Sequence, residues 1–177
     1  TAKYRGYGIV CMADIVLNHR AGTTSTSYAS GKCKWSSNKY HQYNSHSDPG
    51  RFGGYLDVCY AQGDYVGSPY RDIPNWLNWL KSTSNAGFNG GWRWDYVKGI
   101  HTWVIKDMRN KTGYMFCVGE YWDSNTGTLD WWVNATGSSA FDFASVYTLA
   151  DICNNTGGGG YMPNLVNTSK SFAAKNP

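Results

Sequence analysis

Residues Gly87–Glu120, GFNGGWRWDYVKGIHTWVIKDMRNKTGYMFCVGE, read as one strand–helix–strand unit. Gly87 to Tyr96 is a predicted strand that ends in Arg93-Trp94-Asp95. Val97 to Arg109 follows as a predicted helix, with Ile100, Trp103, Val104 and Met108 on one face. Tyr114 to Val118 is a second strand, ending in Gly119-Glu120. Two strands joined by a helix form a parallel pair. Asp95 and Glu120 therefore end neighbouring strands, and Arg93 stands two residues before Asp95 on the same strand face.

The same alternation extends outward in both directions. Gly8 to Leu17, GIVCMADIVL, reads as a buried parallel strand ending in Asn18-His19. From Arg20 to about Gly67 the periodicity disappears, and Ser, Gly, Asn, Tyr and His dominate. A structureless loop of that length argues against itself in a compact domain, so this stretch reads as an irregular inserted subdomain. Tyr70 to Ser82 is predicted helical, with Ile73, Trp76, Leu77 and Leu80 on one face and Pro74 in the first turn. Thr128 to Ala135 is a helix, Ser139 to Phe143 a short strand, and a weaker helix runs to Cys153. The Gly157–Gly160 run breaks the chain, and Met162 to Ala174 is helical again. Strands alternating with helices indicate an α/β fold with a parallel sheet. The polar residues sit at the strand C-termini, the rim on which a (β/α)8 barrel builds its site. A doubly wound sheet shares that property, but no G-x-G-x-x-G stands at a strand–helix turn to support a dinucleotide site.

Composition limits the alternatives. The chain has 177 residues, 41% hydrophobic, with a net charge of +4. Its basic residues form no stripe, which argues against nucleic acid as a partner. No run of eighteen apolar residues exists, so no membrane span is expected. Nine Trp and fourteen Tyr are many for this length. Several lie in polar, Gly-rich sequence, and flat rings there serve either as packing or as faces for neutral sugars. The five cysteines show no C-x-x-C. Cys11 and Cys117 read as small buried hydrophobes, whereas Cys33 and Cys59 could pair or bind metal. Asn110, Asn134, Asn154 and Asn167 open N-x-[ST] matches that chance also produces. Two carboxyls at adjacent strand ends suit retaining glycoside hydrolysis, with Arg93 keeping the nucleophile ionised. They suit a structural ion pair equally well.

Four stretches resolve that choice by resemblance. Asp14-Ile-Val-Leu-Asn18-His19 resembles the first signature of the α-amylase family, at the end of barrel strand three. Gly91-Trp-Arg93-Trp-Asp95-Tyr-Val-Lys98-Gly99 resembles the second, after strand four. Gly119-Glu120-Tyr-Trp-Asp123 resembles the third, after strand five, and Phe52-Gly-Gly-Tyr-Leu-Asp57 the motif that closes the family's inserted B domain. They occur in the family's order. Lys98-Gly99 is similar to the archaeal and plant-like branches.

The resemblance implies part of a (β/α)8 TIM barrel, about strands three to six: 1–19 as strand three, 20–67 as the B domain, and 68–177 continuing through strands four to six. Strands one, two, seven and eight, and the third catalytic aspartate of the family's fourth signature, are expected to be absent. The implied enzyme is a glycoside hydrolase that cleaves internal α-1,4 bonds of starch, glycogen and maltooligosaccharides with retention. It would be secreted, monomeric at full length and without nucleic-acid or membrane partners, and the 177 residues alone would be inactive. A non-catalytic carbohydrate-binding relative, an α-glucosidase and a transglycosylase are the alternatives. Asp95 would be the nucleophile, Glu120 the general acid/base and Arg93 the partner of Asp95. His19, Lys98 and Trp122 would meet substrate. Asn18, Asp48, Gly50, Asp57 and Gly99 would hold Ca2+, a hard cation that takes six to eight oxygens. His41, His46 and Cys59 resemble a Zn2+-binding trio of some archaeal relatives, and read otherwise as loop histidines with a disulfide-capable cysteine. One departure stands out. Asn89-Gly90-Gly91 carries one glycine more than the family pattern, which is either a β-bulge or an error in the recorded sequence.

Overall fold

The computed structural model describes residues 1–20, 40–41, 52–53, 56–58, 60, 69–82, 84–113, 115–154 and 161–172; for Arg20, Tyr40, His41, Leu56 and Asp57 it describes the backbone alone. In chain order the elements are α1 (Ala2–Arg5), β1 (Ala13–Val16), β2 (His19–Arg20), β3 (Tyr40–His41), β4 (Leu56–Val58), α2 (Pro69–Lys81), β5 (Trp92–Asp95), α3 (Thr102–Lys111), β6 (Cys117–Gly119), α4 (Thr126–Thr136), β7 (Ser139–Ala140) and α5 (Phe143–Asn154). Short 3-10 turns occupy Val97–Gly99 and Met162–Val166.

β1, β5, β6 and β7 form one sheet in that order, and every pair in it is parallel. The period of two divides its faces. Ala13, Ile15, Trp92 and Trp94 are buried, whereas Asp14 and Val16 are exposed and Arg93 and Asp95 partly so. The buried face packs on the helices, where Leu77, Val104, Ile105, Met108 and Trp132 are fully enclosed. Trp92 buries its ring at low polar cost because its Nε1 donates to Thr112 Oγ1 at 3.1 Å. The opposite face, with Asp14, Arg93 and Asp95, carries the polar chemistry.

The glycine pair before Trp92 belongs to the sheet. Gly91 adopts φ +108, its carbonyl accepts from Ala13 N–H at 3.1 Å, and Gly90 N–H donates to the Cys11 carbonyl at 2.9 Å. A side chain at 91 would collide with the Phe116 carbonyl.

The second sheet has the order β2-β4-β3, both pairs antiparallel. It returns part of the 20–67 stretch to the end of β1. Val58 N–H donates to the Asn18 carbonyl at 2.8 Å, and Tyr60 donates its hydroxyl to the Leu17 carbonyl at 2.8 Å.

Some expected boundaries are corrected. The first strand spans only Ala13–Val16, and α1 precedes it. The expected helix from Val97 is a 3-10 turn followed by α3. Met162 to Ala174 is not a continuous helix. The Asn167 side chain accepts from Ser169 N–H at 3.0 Å and from its hydroxyl at 2.8 Å, a local turn that competes with helix. Asp142 is not on a strand. It caps α5, accepting from Ser145 N–H at 2.9 Å. Among the described residues, no helix is long and apolar enough to cross a membrane.

Candidate active site

Parallel pairing decides which side chains meet. Asp14 lies opposite Arg93 and Val16 opposite Asp95. Arg93 lies opposite Val118, and the ladder continues when Glu120 N–H donates to the Trp94 carbonyl at 2.9 Å. Asp14, Arg93, Asp95 and Glu120 consequently share one rim. Arg93 is the hub. Its Nη1 donates to Asp14 Oδ1 at 2.8 Å and to Asp95 Oδ1, and its Nη2 lies 2.7 Å from Glu120 Oε1. Partial burial works to lower the pKa of Arg93. Hydrogen bonds to Asp95 and Asp14 and the charge of Glu120 overcome that and raise it.

The chain turns sharply after Asp95. Tyr96 takes a left-handed conformation, φ 43, and is the only non-glycine residue among those described with positive φ. Its N–H thereby points at Glu120 and donates to Oε2 at 3.1 Å. Both Glu120 oxygens are thus held, one by a cation and one by a backbone dipole. A left-handed residue costs of order 1 kcal/mol, and here the strain sits beside the two carboxyls.

His19 stacks on Phe52, ring centroids 4.5 Å apart, and meets Tyr96 edge-on at 6.3 Å. Burial lowers its pKa against the opposing charge of Asp95, which favours the neutral imidazole. Asn18 is buried, and its Nδ2 donates to the Gly99 carbonyl at 2.9 Å. Lys98 reaches across to the loop after β6, donating to the Trp122 carbonyl at 3.0 Å and to Asp123 Oδ2 at 3.1 Å. Trp122 is half exposed and stacks on Phe143 with centroids 4.1 Å apart.

Asp95, Glu120, Arg93, His19, Asn18, Gly99, Lys98 and Trp122 therefore all lie at strand ends on this rim or in the turns leaving it. The backbone of Asp57 lies opposite both His19 and His41. Asp48, Gly50, His46 and Cys59 lie outside the described residues, as do the side chains of Asp57 and His41. Among the described residues no group of three or more His, Cys, Asp and Glu could hold a metal ion. Sequence reasoning assigned no role to Asp14, Phe52 or Phe143. Asp14 had a signal, being the single charge in an apolar run of ten.

A cation-bridged carboxyl pair at adjacent strand ends can supply a nucleophile and an acid on the two sides of one bond. The chain is 31% identical over 169 residues to probable alpha-amylase 2 of Arabidopsis thaliana, covering 81% of this chain and 39% of that protein. The chain belongs to the α-amylase family. No family model matches it. Its fold agrees with that of an alpha-amylase from Malbranchea cinnamomea at TM-score 0.63 and 17% identity, covering 85% of this chain and 33% of that one. It also agrees with that of CldA, a cyclomaltodextrin glucanotransferase, at TM-score 0.61 and 17% identity, covering 84% of this chain and 35% of that one. The four-stranded sheet of this α-amylase relative is thus an arc of a (β/α)8 barrel. The chain spans about two fifths of the length of the plant relative.

Proposed function

We propose that the protein containing this chain hydrolyses internal α-1,4-glucosidic bonds of starch and glycogen with retention, through a covalent glycosyl-enzyme intermediate. The observation that carries this is Arg93 bridging Asp95 and Glu120 on one rim. Asp95 attacks the anomeric carbon as Glu120 gives its proton to the leaving oxygen. Glu120 then takes a proton from water, which releases the sugar. Arg93 bonds Asp95 and orients it for the attack. His19, in its neutral form, donates a hydrogen bond to a sugar hydroxyl, and Trp122 offers a ring face to the chain. Lys98 orders the loop that carries Trp122 on the leaving-group side.

The proposal includes the division into strand three at 1–19, B domain at 20–67 and barrel continuation at 68–177. It also includes a secreted monomer acting on polysaccharide and maltooligosaccharides, and inactivity of these 177 residues alone. Ca2+ belongs to the same reading. Asn18 and Gly99 bring an amide and a carbonyl within 2.9 Å of each other, so a flipped Asn18 amide would present two hard oxygens to one cation. With Asp57, Asp48 and Gly50 as further donors, the ion would pin the B domain to the barrel. No observation supports zinc at His41, His46 and Cys59.

The test is Asp95→Asn and Glu120→Gln in the full-length protein. Each is expected to lower kcat on soluble starch by about 10³-fold or more with the melting temperature kept. Wild-type turnover in either variant refutes the assignment. The likeness to a glucanotransferase supports a second reading, glucosyl transfer, and analysis of products from maltoheptaose separates the two: shortened maltooligosaccharides mean hydrolysis, longer or cyclic ones transfer.

A further inference from the structure

Next to the Trp122–Phe143 stack lies a cavity of about 320 Å³ that the chemistry just described does not use. Its floor is one stripe of α5, where Ala144, Tyr147, Thr148 and Asp151 follow the spacing i, i+3, i+4 and i+7. Ser124 stands on one side, and the turn at Ser169-Lys170 on the other. We propose that this cavity is an accessory pocket for α-1,4-glucan, holding about one or two glucosyl units of a chain that crosses Trp122. The inference rests on the reading of the rim as a glucan site.

Continuity with the rim is the first argument. Ser124 follows Trp122 by two residues on the same loop, and Ala144 follows Phe143, on which Trp122 stacks at 4.1 Å. A glucan lying on the exposed ring of Trp122 therefore leads to the pocket. The walls are also built before a ligand arrives. Thr148 donates its hydroxyl to the Lys170 carbonyl at 2.8 Å, Ser145 Oγ lies 2.6 Å from Ser171 Oγ, and Phe172 N–H donates to Asp142 Oδ1 at 3.1 Å. These bonds lash the turn to α5, so little order remains to be lost on binding. The lining then selects a neutral polyol. Tyr147, 42% exposed, offers a flat ring with a polar tip to the C–H face of a sugar. Asp151 and Lys170 carry opposite charges, so the pocket has no net charge with which to hold an ion. Sugar hydroxyls can donate to the carboxylate and accept from the ammonium.

The test uses full-length protein carrying Glu120→Gln, with maltoheptaose as the probe and calorimetry as the readout. Adding Tyr147→Ala is expected to weaken binding about threefold to tenfold with the melting temperature kept. Tyr147→Phe keeps the ring and is expected to keep most of the affinity. Ser169→Trp fills the pocket from its exposed wall, leaves the helix untouched, and is expected to weaken binding as Tyr147→Ala does. Unchanged affinity in either Tyr147→Ala or Ser169→Trp overturns the inference. Inorganic phosphate is expected not to compete, and competition would assign the pocket to an anion and overturn it as well. If the protein with Glu120 intact leaves starch uncleaved but both variants lose maltoheptaose, the pocket stands and the hydrolase reading falls. If starch is cleaved and both variants bind as before, the pocket alone falls.

Discussion

Single residues here act through who shares whom. Arg93 is shared by three acids, and Glu120 is held by a cation and by a backbone N–H. Asp123 makes the same point with a different consequence. Partial burial works to raise its pKa, but hydrogen bonds from Asn125 N–H and Lys98 prevail and lower it. A carboxyl whose folded pKa lies below its unfolded value stabilises the fold above the unfolded pKa, near 3.8, and loses that contribution as pH falls through the lower folded value. Asp123→Asn is therefore expected to lose less melting temperature than the wild type between pH 6 and pH 3. Calorimetry at the two pH values checks this. Equal losses would mean that the hydrogen bonds to Asp123 are not kept in solution.

At the scale of elements, the turns matter more than the strands. β5 can lie between β1 and β6 because Gly91 enters it at φ +108, pressed against the Phe116 carbonyl. Gly91→Ala is expected to cost about 3 kcal/mol or more, since it adds a left-handed strain to a collision with backbone that cannot move without opening the ladder. Chemical denaturation measures it, and a loss under about 1 kcal/mol would show that the strand can enter the sheet by another path. At the other end of β5, Tyr96 turns the chain so that its N–H meets Glu120. Helix and strand identities were legible in the sequence from the spacing of Val104 and Met108 and from the alternation of Trp92 and Trp94 with Arg93 and Asp95. The boundaries were not. The 3-10 turn at Val97–Gly99 and the Asn167 turn depend on local hydrogen bonds that no hydrophobic period reports.

For the whole molecule, the open question is what fastens an irregular polar insertion to a barrel. The 2.8 Å hydrogen bonds from Val58 to Asn18 and from Tyr60 to Leu17 give part of the answer. If Ca2+ supplies the rest, EDTA is expected to lower the melting temperature of the full-length protein. The stability lost would be about 2–3 kcal/mol when the free ion had stood near a hundredfold over its Kd. An unchanged melting temperature would remove calcium from the account. The sequence by itself determined that strands alternate with helices and that acids end two successive strands, because hydrophobic period and chain order are properties of the chain alone. It contained Asp14 as well, but not its partner. Only the tertiary structure decided that Asp14, Asp95 and Glu120 divide one guanidinium. That depends on the lateral register of three strands far apart in sequence, and register is set by pairing and by the Gly91 entry rather than by any local pattern.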